Sequence, residues 1–253
     1  MTFTRLTRVG RLVAASAAAN LTACTLELGG HAPAIVTAGA DLDLAAARLA
    51  AAKFGSAGQS CAAPSRLIVA REVHDEFVDR LVAHAPRLDR DPGPGAAMGP
   101  LNNEARRGAV HALVVDAVDR GAEAQIGGVR PDGPGFYYPA TVLTGVVPPA
   151  RVMIDEPFGP VAPVYAFDDE NEAVAVANGT AYVLSACVFG RTGPATAIAG
   201  RLDAGSVSVN SAPGAAPDAP LGGRRASGYG YEGGDEGLLA FARLKICQHD
   251  PRA

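Results

Sequence analysis

The sequence predicts an α/β protein, a mainly parallel sheet with helices on both faces, and three observations carry that prediction. Short apolar runs of strand length recur at residues 33–36, 67–70, 161–167, 184–189 and 206–209. Between them lie stretches with apolar residues at helical spacing, and such alternation is what crossover connections between parallel strands produce. The composition is globular: 253 residues, 48% hydrophobic and 19% charged, enough to bury a substantial core. In this architecture a site is expected at the loops leaving the strand ends.

The elements follow in order. Val9, Leu12, Val13 and Ala17 share one face of an opening helix. Residues 25–28 and 33–36 read as short buried strands around Gly29-Gly30. Asp41 is placed to cap a helix over residues 42–54, with Leu42, Leu44, Ala45, Leu49 and Ala52 inward. After a strand at 67–70, a helix over 73–84 turns Phe77, Leu81 and Val82 to the core. Proline and glycine make residues 91–95 and 131–135 loops, on either side of a helix at 103–120 and a strand at 123–126. Strands are then expected at 137–143, 161–167, 184–189 and 206–209, with helices at 170–178 and 194–202 between the last three. Residues 211–220 form a small-residue loop, 222–234 a glycine-dense structural stretch, and Lys245 and Cys247 lie in a terminal strand.

Composition also excludes several functions. The net charge is −4 with no basic patch, so no nucleic-acid partner is expected. The four cysteines (Cys24, Cys61, Cys187, Cys247) and five histidines fall at no metal-ligand spacing and form no disulfide framework, which fits a reducing cytoplasm. Arg5, Arg8 and Arg11 before an apolar run ending at Cys24 imitate a lipoprotein signal. That run is short and broken by Ser16 and Asn20, and its helical periodicity favours an amphipathic helix. No run reaches the roughly 18 apolar residues of a membrane span.

The chemistry centres on residues 54–66, Phe-Gly-Ser-Ala-Gly-Gln-Ser-Cys-Ala-Ala-Pro-Ser-Arg. Glycines before Cys61, small residues around it and Pro64 after it describe a tight loop with little side-chain cover for the thiol. Composition alone leaves Cys61 either a nucleophile or a buried structural thiol, since free cysteine behaves as a small hydrophobe.

Three segments decide between these. Thr25-Leu26-Glu27-Leu28-Gly29-Gly30, Gly58-Gln59-Ser60-Cys61 and Glu156-Pro157-Phe158-Gly159-Pro160 resemble, in order and at similar spacing, the signature motifs of the aldehyde dehydrogenase superfamily. Glu27 and Cys61 are 34 residues apart, as in that family. Val9-Gly10-Arg11, Met98-Gly99-Pro100-Leu101, Val209-Asn210 and the glycines from Gly222 to Gly230 with Glu232 resemble further landmarks, so the likeness covers essentially the whole chain.

The resemblance implies that Cys61 is the catalytic nucleophile, attacking an aldehyde to give a thiohemiacetal and then a thioester. It implies that Glu27 is the general base. A thiolate is a strong nucleophile, a thioester an activated acyl group, and a glutamate of raised pKa a suitable base near neutrality. Glu156 would meet the nicotinamide ribose of NAD or NADP, Phe158 would pack near the nicotinamide, and Leu28 and Gly29 would complete the cofactor side. The backbone N–H of Cys61 would be one arm of an oxyanion hole. The resemblance also implies domains at 1–30 (remnant of the cofactor-binding domain), 31–230 (catalytic) and 231–253. The last would carry an oligomerisation strand at 244–248 that makes a homo-oligomer.

Several family features have no counterpart: the upstream asparagine of the oxyanion hole, the lysine that meets the cofactor ribose, and most of the dinucleotide fold. Arg5-Leu6 stands where the family often has Gly-Ser near the pyrophosphate, and Val183 replaces a common glycine. Three functions remain open on this reading: an aldehyde dehydrogenase acting on a small-molecule aldehyde, a cofactor-free Cys-dependent ester or thioester hydrolase, and a non-catalytic interaction protein. Ala62-Ala63-Pro64-Ser65-Arg66 loosely resembles semialdehyde-oxidising branches, with Arg66 either reading an acidic substrate or serving a structural ion pair.

Overall fold

A computed structural model describes residues 1–86, 98–214, 216 and 218–252. The loop expected at 91–95 and two positions of the loop at 211–220 lie outside the described residues. The chain opens with β1 (Thr2–Thr4) and α1 (Thr7–Ala18), and β2 (Thr25–Glu27) returns parallel to β1 with Phe3 opposite Leu26. Gly10 and Ala17 are the buried positions of α1, whereas Leu12, expected inward, is 61% exposed. The helix lies on β2 through Gly10, where a side chain would collide with Leu28, so its contact face is set by the glycine.

The central sheet and the helices around it run through β3 (Ala32–Val36), α2 (Leu42–Phe54), β4 (Pro64–Ala70), α3 (His74–His84), α4 (Glu104–Asp119), β5 (Glu123–Ile126), β6 (Thr141–Thr144), β7 (Val161–Phe167), α5 (Glu170–Asn178), β8 (Tyr182–Val183), β9 (Ser185–Phe189), α6 (Thr192–Ala199) and β10 (Ser206–Val209), with β8 outside that sheet. Its order is β10-β9-β3-β4-β7-β6-β5, parallel throughout except for the edge pair β5 and β6. Strand side chains alternate between two cores, as the two-residue pleat requires. Ala34, Val36, Leu67, Val69, Cys187 and Phe189 face α2, α3 and α4; Ile35, Ile68, Ala186 and Val188 face α5 and α6. Helices on both faces are therefore observed as expected.

Caps fall where short polar side chains can satisfy free amides. Asp41 accepts from the Leu44 N–H at 3.0 Å, and Asn103 from the Arg106 N–H at 2.8 Å. Two expected strands differ. The strand expected at 137–143 begins only at Thr141, because Pro139 has no N–H to donate; Tyr138 instead packs inward with His111 Nδ1 3.1 Å from its hydroxyl. Among the described residues, 244–248 pair with no strand, and Leu244 and Ile246 are almost fully exposed; a strand requires a neighbouring edge to take its backbone hydrogen bonds.

β11 (Arg224–Arg225) pairs with β8 in a two-stranded sheet of its own, and β12 (Gly228–Tyr229), antiparallel to β2, completes the small three-stranded sheet β1-β2-β12; α7 (Gly234–Leu239) follows. A Cβ on Gly228 would come 1.9 Å from the Leu26 carbonyl oxygen. The glycine-dense stretch thus serves close backbone packing on β2, in agreement with its structural reading.

Candidate active site

Three loops meet at one edge of the central sheet: residues 28–31 before β3, 55–63 before β4 and 154–160 before β7. The strands are parallel, so their amino ends share that edge. This corrects the expectation of loops leaving the strands: β2 runs through Gly29-Gly30 straight into β3, which puts the small sheet and the site at the entry side. A cavity of about 590 Å³ opens there. Cys61, Leu28, Gly29, Glu156 and Phe158 all line it, so five of the six residues singled out in the sequence share one wall; Arg5, Gln59, Asn102 and Arg106 join them.

The Cys61 loop is held by backbone geometry more than by side chains. Ser56, Ala57 and Gly58 have φ of +51°, +54° and +69° in succession, a left-handed run that costs non-glycine residues energy and concentrates at functional sites. A Cβ on Gly58 would come 2.2 Å from the Gly159 carbonyl oxygen, and one on Gly30 would come 2.0 Å from the Cys61 carbonyl oxygen. The three loops therefore touch backbone to backbone. Gln59 ties the Cys61 loop to the segment before α4, with Nε2 donating to Ser56 O at 3.0 Å and Oε1 accepting from the Asn102 N–H at 2.8 Å.

Cys61 is half-buried. Burial first, then the charge of Glu156, pushes its thiol pKa up, and a smaller push comes from Glu27; the N–H groups of Cys61 and Ala62 oppose them. Glu156 hangs over Gly29: its Oε1 accepts the Gly30 N–H at 3.0 Å. Burial raises its carboxyl, while the Gly30 N–H, Arg106 and Lys53 lower it.

Glu27 does not line the cavity. Its side chain is buried in β2 between β1 and β12, and its Oε1 has no hydrogen-bond partner among the described residues. Burial, reinforced by the neighbouring charge of Glu232, lifts its pKa to about 7, against a lowering hydrogen bond from the Gly223 backbone. The carboxyl thus titrates in the range a general base requires, one layer behind the cavity wall.

Two buried cations lie under the site. Arg66 is 1% exposed, and its guanidinium donates to the carbonyl oxygens of His31, Val176 and Ala177. It reaches neither the cavity nor a carboxylate, so both expectations for it, reader of an acidic substrate and ion-pair partner, are replaced by a carbonyl clamp at the end of α5. Lys53 is fully buried with Nζ unpartnered among the described residues; burial lowers its pKa to about 7, opposed by Glu156.

Gln59 stands beside Cys61 in the quoted motif, but its latch joins residues 43 apart and is visible only in three dimensions. Sequence reasoning missed Ser227, which is fully buried and donates to Gly29 O at 2.6 Å while accepting from the Val183 N–H at 3.0 Å. Its signal was slight, a serine inside a glycine-dense run. It also missed Arg106, whose helix position alone gave no sign of Phe158.

A model of the aldehyde dehydrogenase family matches residues 1–247. A succinate-semialdehyde dehydrogenase [NADP(+)] of Deinococcus radiodurans is 41% identical over 247 residues, covering 96% of this chain and 52% of that protein. A 4-(hydroxymethyl)benzenesulfonate dehydrogenase of Comamonas testosteroni is 39% identical, covering 98% and 52% respectively. Among solved structures, an NAD-dependent aldehyde dehydrogenase from Sinorhizobium meliloti superposes with a TM-score of 0.92 at 36% identity, covering 96% of this chain and 49% of that one. The chain spans about half the length of the curated relatives it matches. With the motifs in one cavity, the fold shared and the family match running over nearly all its residues, the chain belongs to the aldehyde dehydrogenase family.

Proposed function

We propose that this chain carries the catalytic half of an enzyme that oxidises an aldehyde to its carboxylic acid, with NAD or NADP as oxidant and Cys61 as nucleophile. The observation that carries the reading is the convergence of Cys61, Leu28, Gly29, Glu156 and Phe158 on one cavity. Its volume of about 590 Å³ is in the usual range of a small-molecule site.

The wall fits the nicotinamide end of such a cofactor. A side chain on Gly29 would strike Glu156 Oε2 at 2.6 Å, so only glycine leaves that carboxylate its place beside the cavity. Glu156 offers acceptors for ribose hydroxyls, Phe158 a ring face, Leu28 and Gly29 a surface for the nicotinamide, and Arg5 a cation for phosphate. When bound, the cofactor supplies a hydride acceptor.

The chain's own residues do the remainder. Cys61 gives its thiol proton to water, a loss that the Cys61 and Ala62 N–H groups favour, and its sulfur then adds to the aldehyde carbon as the carbonyl electron pair moves onto oxygen, where the Cys61 N–H would be one arm of the oxyanion hole. After the acyl group is left on sulfur, water attacks the thioester carbon and its proton passes through a second water to Glu27, which does not line the cavity itself. The carbon–sulfur bond breaks, and the acid and the Cys61 thiolate are released. A carboxyl titrating near 7 accepts that proton without being too weak a base.

The substrate class follows from the relatives: one is named for a semialdehyde and another for a sulfonate, so an aldehyde bearing an anionic group is favoured. Residues 1–30 belong with the cofactor-binding unit, 31–230 with the catalytic one, and the exposed segment 244–248 pairs with a second copy of the chain. A thiol nucleophile suits the reducing cytoplasm. Among the described residues no helix is long and apolar enough to cross a membrane.

The test is formation of reduced nicotinamide by the purified protein with succinate semialdehyde and either NAD+ or NADP+. The expected result is turnover that Cys61→Ala abolishes and that falls when an uncharged aldehyde of similar length replaces the semialdehyde. Folded protein with reduced Cys61 that turns over no aldehyde with either cofactor contradicts the reading.

A further inference from the structure

Arg106 takes part in none of those steps, yet three observations converge on its guanidinium. It stands in the first turn of α4, facing the cavity. Its Nη1 donates to the Pro157 carbonyl oxygen at 3.2 Å, and its Cζ lies 5.7 Å from the centroid of the Phe158 ring. Its charge also lowers the carboxyl pKa of Glu156. One side chain therefore acts on three consecutive residues of the turn entering β7.

That turn needs a fastening. Phe158 has φ of +41°, a conformation that a bulky L-residue holds only when its surroundings impose it. Glu156 is faced by the Gly30 N–H from the loop before β3, Lys53 from α2, Arg106 from α4, Cys61 from the loop before β4 and Tyr182 from β8. Of these only Lys53 and Arg106 are cations. Lys53 is sealed in the core, so on the cavity side the counter-charge is Arg106.

We propose that Arg106 is a positioning residue: it ties down the strained turn of residues 156–158 and sets its positive charge against the Glu156 carboxyl at the cavity wall. Its importance for cofactor affinity rests on the reading of Glu156 and Phe158 as the cofactor side; the tether and the counter-charge do not. Lysine would keep the charge while losing the guanidinium's contact with the Phe158 ring face and its planar donor set, so the two parts of the role can be separated.

The experiment is a carbon-13 NMR titration of the glutamate carboxyls of the chain, with the Glu156 signal assigned by its loss in Glu156→Gln. An opposite charge nearby favours the ionised form of a carboxyl. In Arg106→Met the Glu156 midpoint is therefore expected to rise. In Arg106→Lys it stays near the wild-type value, while the Phe158 ring signals move in both variants. An unchanged midpoint in Arg106→Met, or a shift in Arg106→Lys as large as in Arg106→Met, overturns the proposal. If the methionine variant does not fold, Arg106→Gln, which keeps a donor for Pro157 O, gives the same reading of the charge. The titration needs no turnover, so a protein that oxidised no aldehyde would still decide it.

Discussion

At the scale of single residues, burial moves both catalytic candidates away from their solution behaviour. Glu27 titrates at about 7 in the fold against 4.5 for a free glutamate. A carboxyl whose folded pKa is raised contributes stability that is fully present below the unfolded value and is lost as pH rises through the folded one. The native state therefore weakens between about pH 4.5 and pH 7, by up to about 3 kcal/mol. Glu27→Gln removes that loss: denaturant melts should show the variant more stable than wild type at pH 8 and equal to it near pH 4. Cys61 follows a similar logic without a folding readout. Burial and the Glu156 charge raise its pKa, so it holds less thiolate at neutral pH than an ordinary cysteine. The rate of alkylation by iodoacetamide against pH should have its midpoint above that of a free thiol, and Glu156→Gln should move it down.

At the scale of elements, the site depends on loops that enter strands. Gly58 has φ of +69° and a backbone oxygen 2.2 Å from where a Cβ would stand. Gly58→Ala is expected to cost roughly 2–4 kcal/mol and to slow Cys61 alkylation relative to Cys247 in the same molecule, which peptide mass mapping reads directly. The extent to which elements were legible has physical reasons. Helix α2 could be placed because Asp41 is a cap with a local mechanism. Buried strands β3 and β9 could be placed because fully covered strands are near-continuously apolar. The span 137–143 misled because aromatic and β-branched residues favour a strand while Pro139 forbids the ladder bond. The inward face of α1 misled because packing there is set by Gly10, and glycine carries no apolar signal.

At the scale of the whole molecule, the sequence disclosed which residues matter more readily than how they are arranged. Cys61, Glu156, Phe158, Leu28 and Gly29 were singled out by motif and meet at one cavity. Glu27 was singled out equally, yet it stands behind the wall, because β2 is the central strand of the small sheet and both its neighbours cover it. Arg66 was visible as a charged residue near the nucleophile, but its three carbonyl partners come from segments 35 to 111 residues away, and no local pattern announces them. Arg106 and Ser227 were missed for the same reason: their roles are made by contacts between distant loops.

The central claim is that Cys61 accepts an acyl group and Glu27 drives its hydrolysis, and it can be tested without cofactor. The protein is treated with p-nitrophenyl acetate and followed by intact and peptide mass spectrometry. The account predicts one acetyl group on Cys61, absent in Cys61→Ala, shed by wild type and retained by Glu27→Gln. An acetyl group found instead on Cys24, Cys187 or Cys247, or one shed from Cys61 equally fast in Glu27→Gln, would contradict it.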